Sequence, residues 1–454
     1  MFLRLICPHM ESPLLLFDSR QKSMPEETDE SLLERIACGA FGYFVEQCNA
    51  ATGLIADSSD SGDPCSIAAV GFALSCYPIG VERGWMPRAE AIGRTLAALR
   101  FFANSEQSHH PDATGYKGFY RHFIDMQTGA PAWRSEVSLI DTTLLLAGML
   151  VASVYFDGAD AQEAEIRATV DALYRRMDWE WACDNQPTAR QGWRPKGGFL
   201  HYGWDGYDEA TILYILGLAS PTHPLPAQTF DAWTHTYQWE EIYDYAHLYA
   251  GPLFIHHFSQ AWIDFRGIRD AFMREKKCDY AENTRRATLM QIEYARRNPH
   301  GFVGYSQKCW GLSASRGVGF ETREVEGRLR HFLGYSARGA PYGPDDGTIA
   351  PCEMLASLPF TTERCLESLR HMLAKFPEIL VDGRLASGFN PTLPGKGSGG
   401  WVANGHLGLD QGIVVMMIEN YRTGLIWSLM KRCPYVVAGL RRAGFSGGWI
   451  SEAK

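Results

Sequence analysis

Some helical segments of this chain have no polar face. Residues 142–150 read TTLLLAGML and residues 214–218 read YILGL. A helix that is apolar nearly all round must be enclosed by other helices, because none of its faces can be left to water. Other segments are amphipathic. The stretch 161–177 sets Glu163, Glu165, Arg167 and Arg175 among apolar residues and reads as an outer helix. Helical periodicity recurs over 30–48, 87–104, 137–156, 161–177, 208–219, 250–266, 280–298, 361–375 and 410–425.

Enclosed and outer helices alternate along the chain, and no hairpin or βαβ pattern competes. That alternation predicts an all-α protein built as two concentric rings of helices, the (α/α)6 barrel. A chain of 454 residues is long enough for two or three domains. No Pro/Ser/Gly-rich spacer, charge block or low-complexity run marks a division. We therefore expect one barrel over 30–454, preceded by an irregular extension over 1–29.

The formal net charge is −9 and no polybasic segment occurs. A nucleic-acid surface wants a basic stripe, so nucleic acid is excluded as a partner, and a neutral polymer fits better than an anionic one. The chain holds 13 Trp, 20 Tyr and 23 Phe. Core filling accounts for most of them, but rings beside Gly and acidic residues suit stacking on the C–H faces of sugars. The 11 cysteines show no CxxC pair, which argues against zinc and redox dithiols. No metal or cofactor is expected. Cys76 and Cys365 read as small buried apolar residues, and this usage favours a reducing compartment. His9, Glu11 and Pro13 interrupt the apolar runs of the first 21 residues, so a continuous signal-peptide core is missing. No stretch approaches the ~20 apolar residues of a membrane span. The expectation is a cytoplasmic protein, with a periplasmic one open if the start lies elsewhere.

Six segments pack Gly, aromatic and acidic residues beside an apolar helix. The first runs from Gly115 through Tyr120 and His122 to Asp125, and continues from Trp133 through Glu136 to Asp141. Ser135 or Glu136 could simply cap the helix. Asp141 leads into a Leu-rich helix, where an acid is costly unless paired or functional. The second holds Trp204, Asp205, Tyr207, Asp208 and Glu209. Capping explains one or two of these acids, not three, and an acid in such an aromatic mouth would have the raised pKa of a general acid. The third holds His256, His257, Gln260, Trp262 and Asp264. It shows no HExxH or other metal spacing, and Asp264 suits an ion pair with a nearby Arg. The fourth and fifth hold Arg338, Asp345, Asp346 and Asn390, where a turn with a cap is the plain alternative. In the sixth, Asp410 opens another buried helix. Trp310 is a further aromatic candidate for the sugar-binding surface. The literal GxGxxG at Gly395–Gly400 has neither the preceding strand nor the following helix of a phosphate site and reads as a flexible loop.

Loops at one end of the inner helices would surround a funnel, where acids from distant positions meet. Glycoside hydrolysis needs two carboxyl groups: one protonates the leaving oxygen, and the other activates water or attacks.

These segments resemble the glucoamylase-like helical-barrel family that includes the endo-β-1,2-glucanases of glycoside hydrolase family 144 and the barrel domain of cyclic β-1,2-glucan synthases. The motifs are GYKGFYRHF, SEVSLIDTTLLLAG, GYDEATILYILG, GPLFIHHFSQAWIDFR, DDGTIAP and LGLDQGIVVMMIENYRTGLIW, spread over residues 30–449. The second and last are specific in combination. The resemblance implies an (α/α)6 barrel and action on β-1,2-glucan, with Glu209 as general acid and Glu136, Asp141 or Asp410 as its partner. Tyr120, His122, Trp204, Tyr207, Asp208, His257, Gln260, Trp262, Trp310, Arg338, Asp346 and Asn390 become the candidate sugar-binding residues. Two departures stand out. Arg316 replaces an acid common in relatives and would alter a subsite. Asp208 replaces Asn or Ser, and a second acid would raise the pKa of Glu209 or move the proton.

Three functions follow from this reading: an endo-acting hydrolase, a glucanotransferase with a covalent intermediate, and a non-catalytic sugar-binding barrel. A sugar epimerase is a fourth, but it would want paired histidines around one sugar, and adjacent His256 and His257 point to different faces.

Overall fold

The computed structural model describes residues 27–451, so the extension expected over 1–29 lies almost wholly outside the described residues. Six helices are buried over nearly their whole length: Ile67–Glu82, Leu139–Tyr155, Thr211–Ala219, Leu253–Trp262, Pro351–Ala356 and Gly408–Arg422. They form the inner ring. Ile67–Glu82 packs on Leu139–Tyr155, which packs on Thr211–Ala219. Leu253–Trp262, Pro351–Ala356 and Gly408–Arg422 follow in contact, and the last returns to Ile67–Glu82. The step from Thr211–Ala219 to Leu253–Trp262 is held by Ser259. Its Oγ accepts from the Ile212 N–H at 3.1 Å and donates to the Glu209 carbonyl at 2.9 Å.

The outer ring comprises Asp29–Glu46, Arg88–Asn104, Ala161–Arg176, Tyr280–Arg297, Thr362–Lys375 and Pro434–Arg442. Ala161–Arg176 shows why such a segment is a helix. Asp160 accepts from the amides of Gln162 and Glu163 at its start, Arg175 and Arg176 sit in its last turn, and Ile166, Val170, Leu173 and Tyr174 form one buried stripe.

Inner helices can approach closely where glycines face each other. A Cβ on Gly71 would run into the Leu144 carbonyl, and one on Gly148 into the Gly71 carbonyl. The two helices therefore cross backbone on backbone.

The sequence shows no hairpin pattern, yet the loops between helices contain short antiparallel strands. Gly115–Tyr116, Phe119–Arg121, Val137–Ser138, Gly192–Arg194 and Gly198–Phe199 make one five-stranded sheet. Strands of two or three residues are too short to imprint a period-2 pattern. This sheet sets the entry to the Leu139–Tyr155 helix: Ser138 is both its last strand residue and the helix N-cap. Among the described residues, no helix is long and apolar enough to cross a membrane. Among the described residues, nine cysteines carry free thiols, and all of these except Cys48 are buried.

Candidate active site

The N-terminal ends of the inner helices open onto one cavity of about 620 Å³. Seven carboxyl groups line it: Asp57, Asp63, Glu136, Asp141, Glu209, Glu353 and Asp410. Phe123, Trp133, Trp204, Phe254, Phe258 and Tyr335 supply aromatic walls, and His122 and Arg316 are the only cationic side chains among the lining residues.

One corner is organised by His122, whose ring stacks on Phe123 at 3.8 Å between centroids. Its Nδ1 lies 3.6 Å from Glu136 and its Nε2 3.5 Å from Asp141. Asp141 occupies the first turn of the Leu139–Tyr155 helix. There the N-cap Ser138 donates to its carboxylate at 2.5 Å and accepts from its amide at 3.3 Å. The cap is thus Ser138, not Ser135 or Glu136, because the strand carries the chain to Ser138 before it turns. Burial alone would lower the pKa of His122, but Asp141 and Glu136 outweigh it and raise it. The His122 hydrogen bond, helped by Arg194 at 3.4 Å, holds Glu136 at about 2 against desolvation.

The rest of the cavity is different. Glu209 sits in the turn just before Thr211–Ala219, and desolvation together with the charge of Asp141 pushes it up to about 7. Neighbouring Asp208 uses its Oδ1 to accept from the Ala210 amide at 2.9 Å; burial and Glu209 raise its pKa. Glu353, 2% exposed in the short Pro351–Ala356 helix, is pushed by burial to about 8. Asp410, in the first turn of Gly408–Arg422, is raised well above the carboxylate range by burial, against a Ser387 hydrogen bond and with Glu353 adding to the rise. Asp57 rises to about 6 through burial, which exceeds the lowering pull of His122. Carboxyls whose affinity for protons is raised therefore face one space with Glu136, whose affinity is lowered, which is the electrostatic division that acid–base chemistry on a neutral substrate requires.

The family model described as "Putative glucoamylase" matches residues 201–434, half of the chain. The chain belongs to this glucoamylase-like family. An exo β-1,2-glucooligosaccharide sophorohydrolase (non-reducing end) of Parabacteroides distasonis is 27% identical over 450 residues, covering 91% of this chain and 58% of its own length. The chain thus spans under two thirds of that relative. A crystal structure from Bacteroides uniformis, described as a putative glucoamylase, superposes with a TM-score of 0.82 at 29% identity over 93% of this chain and 98% of that one. An endo-β-1,2-glucanase from Chitinophaga pinensis, solved with sophorotriose and glucose, gives 0.79 at 26% identity, over 93% and 99%. Its (α/α)6 barrel is the fold seen here.

In this glucoamylase-like barrel, Glu136, Asp141, Glu209, Asp410, His122 and Trp204 come together from the sequence-based set. The other candidates sit behind the wall, because each has found a partner there. Tyr120 donates to the Phe102 carbonyl at 2.9 Å, and Tyr207 packs against His256, Tyr237 and Tyr280. The Trp262 indole donates to Ser75 at 2.9 Å and that of Trp310 to Ser368 at 2.8 Å. The Gln260 amide donates to the carbonyls of His256 and Tyr280 at 2.9 and 3.1 Å. Arg338 and Asp346 form a fully buried two-pronged ion pair at 2.6 and 2.8 Å, and Asn390 donates to the Asp346 carbonyl at 2.9 Å. His257 does not line the cavity but grips Glu353, which does. Asp264 pairs with Arg266 at 2.7 Å and Lys431 at 2.6 Å, as its sequence context suggested.

Arg316 reaches the cavity and is tied to Asp60 and the Asn404 carbonyl, each at 2.8 Å. In the Gly395–Gly400 loop the amides of Ser398 and Gly399 donate to the Glu378 carboxylate at 3.1 and 3.3 Å, so an acid already holds the N–H groups a phosphate would need. Among the described residues, no group of three or more His, Cys, Asp or Glu could hold a metal ion. Asp57, Asp63, Glu353 and Tyr335 were not singled out from sequence. Glu353 follows the DDGTIAP motif by two residues, and that proximity was the available signal.

Proposed function

We propose that this protein is a glycoside hydrolase acting on β-1,2-glucan and its oligosaccharides. The observation that carries the reading is Glu209: a carboxyl in a sugar-sized cavity, pushed to about 7, facing the same space as Glu136, which His122 keeps ionised. The names of the Parabacteroides and Chitinophaga relatives supply the linkage.

In this reading Glu209 donates its proton to the glycosidic oxygen as the C–O bond breaks. Water adds to the anomeric carbon, and its proton passes to a carboxylate among Glu136, Asp141 and Asp410. Asp141 is the first candidate, because its charge acts directly on Glu209. A general acid must be protonated, so the rate should fall as pH rises through about 7.

The test is digestion of linear and cyclic β-1,2-glucan beside β-1,3-, β-1,4- and α-1,4-glucans, with product sizing. Absence of cleavage or transfer on every β-1,2 substrate would remove the reading. The sequence-based expectation is endo action, and one relative is named exo and another endo. A ladder of products means endo cutting, and a single short product means exo. Transfer by a covalent intermediate remains the second enzymatic reading. It predicts retained anomeric configuration and longer products when acceptor sugar is added.

A further inference from the structure

Glu353 is a buried carboxyl that the scheme above leaves without a task. Its Oε2 lies 2.9 Å from His257 Nδ1, and His257 Nε2 lies 3.0 Å from Ser357 Oγ, which in turn lies 3.2 Å from Thr288 Oγ1. His257 is fully buried and burial lowers it to about 3, so it is a neutral ring and no counter-ion. The string fixes the ring and, through it, one carboxyl oxygen of Glu353. The other oxygen is left for the cavity that Glu353 lines.

Around Glu353 stand His257 from the Leu253–Trp262 helix, Asp410 from Gly408–Arg422, Tyr335 from the loop opposite, and Cys352 beside it. None of these is a cation at neutral pH; Arg316 and Asp57, which also line the cavity, act on Asp410 and not on Glu353. Two neighbouring buried acids cannot both ionise without cost, so the first charge goes to the better solvated one. Asp410 has the Ser387 hydroxyl, the charge of Arg316 and the start of a 15-residue helix to stabilise its charge, whereas Glu353 has a neutral ring and a six-residue helix. Glu353 therefore keeps the proton. The Oδ2 of Asp410 is buried and has no hydrogen-bond partner among the described residues. The cavity thus presents a donor and an unused acceptor on adjacent inner helices.

Resting on the hydrolase reading, we propose that Glu353, aimed by His257, is a positioning residue that donates a hydrogen bond to a sugar hydroxyl, while Asp410 accepts from that same hydroxyl. The pair would orient one glucosyl unit beside Glu209.

The decisive measurement is the pH dependence of KM for a β-1,2-glucooligosaccharide, between about pH 6 and 9.5, for wild type, Glu353→Gln and Glu353→Leu. In wild type, loss of the Glu353 proton should raise KM roughly five- to tenfold above pH 8. Glu353→Gln keeps a donor at all pH, so its KM should stay flat. Glu353→Leu should show the high KM throughout, and His257→Phe an intermediate one. A purely structural Glu353 would change melting temperature without changing the KM profile, and an alkaline rise that survives in Glu353→Gln overturns the proposal. Infrared difference spectra supply a readout that does not need turnover. The protonated-carboxyl absorbance of wild type at neutral pH should lose one component in Glu353→Gln; an absorbance unchanged by that substitution also overturns the proposal. If the Glu353 component is present but no β-1,2-glucan is cleaved, the hydrolase reading fails and, with no sugar hydroxyl to position, the proposal falls with it.

Discussion

The two sides of the cavity hold the same functional group in opposite states. At the His122 corner, Glu136 and Asp141 share an imidazole, with Arg194 behind, and Glu136 is held at about 2. On the remaining wall, Glu209 and Glu353 have no cationic partner and Asp410 feels only the weaker pull of Arg316, so desolvation wins and all three rise. The N-terminal ends of helices favour carboxylates on both sides, so the helix dipole does not make the difference. One histidine does. Glu136 is ionised beside that partner, and Glu209 and Glu353 hold protons to higher pH where no such partner stands.

The largest effect should come from removing the proton donor. Glu209→Gln is expected to lose at least ~10²-fold in rate with the fold intact, and an unchanged rate would end its role as acid. Next, Asp141→Asn and Asp410→Asn should separate the candidate bases: the true base loses ~10²-fold or more, and added azide restores part of that loss. Taking away the partner, by His122→Gln, should let Glu136 take up its proton at higher pH. We expect about a tenfold rate loss at pH 5 and a smaller one at pH 7. A pH-independent loss would show that His122 acts on the sugar and not on the acids.

Stability sharpens the same contrast. Glu136 is depressed in the folded state, so its contribution is present above the ordinary carboxyl value of ~4.3 and lost as pH falls towards 2. His122 is raised, so its contribution is complete below ~6.5 and is lost as pH rises through its folded value. Glu136→Gln should therefore cost most, about 1–2 kcal/mol, between roughly pH 4.5 and 6.5, and less on either side. The matching change on the other wall, Glu353→Gln, exchanges one neutral group for another and should alter stability by under ~0.5 kcal/mol near pH 7. Smallest of all, Arg194→Ala removes a half-exposed neighbour at 3.4 Å and should move the acid limb barely at all.

The inner ring was legible because helices such as Leu139–Tyr155 and Thr211–Ala219 have no polar face to place in water. Glu136, Asp141, Glu209 and Asp410 were legible as acids opening or preceding such helices. The resemblance, not the periodicity, ranked Glu209 first. The binding set was harder to read, because a polar residue among glycines and aromatics can face the cavity or pair behind it. Arg338 and Asp346 satisfy each other, and Asn390 holds their loop; sequence cannot distinguish such a brace from a sugar contact. Glu353 escaped notice because its six-residue helix is too short to show a period. Asp57 and Asp63 lie in a loop that reads as an ordinary turn, and a bridge from Ser58 to Leu407 ties it to the start of the Gly408–Arg422 helix at the cavity.

The crossing at Gly71 and Gly148 has a bearing on engineering. The two inner helices that meet there are already in main-chain contact. They cannot be drawn closer, and a side chain introduced at either position would force them apart and carry the Asp141 end of one of them away from its neighbours. The floor of this cavity is therefore a fixed gauge. Any enzyme descended from this one that takes a longer, shorter or differently linked chain has to be retailored at the loops, where Arg316, Tyr335 and Trp133 stand.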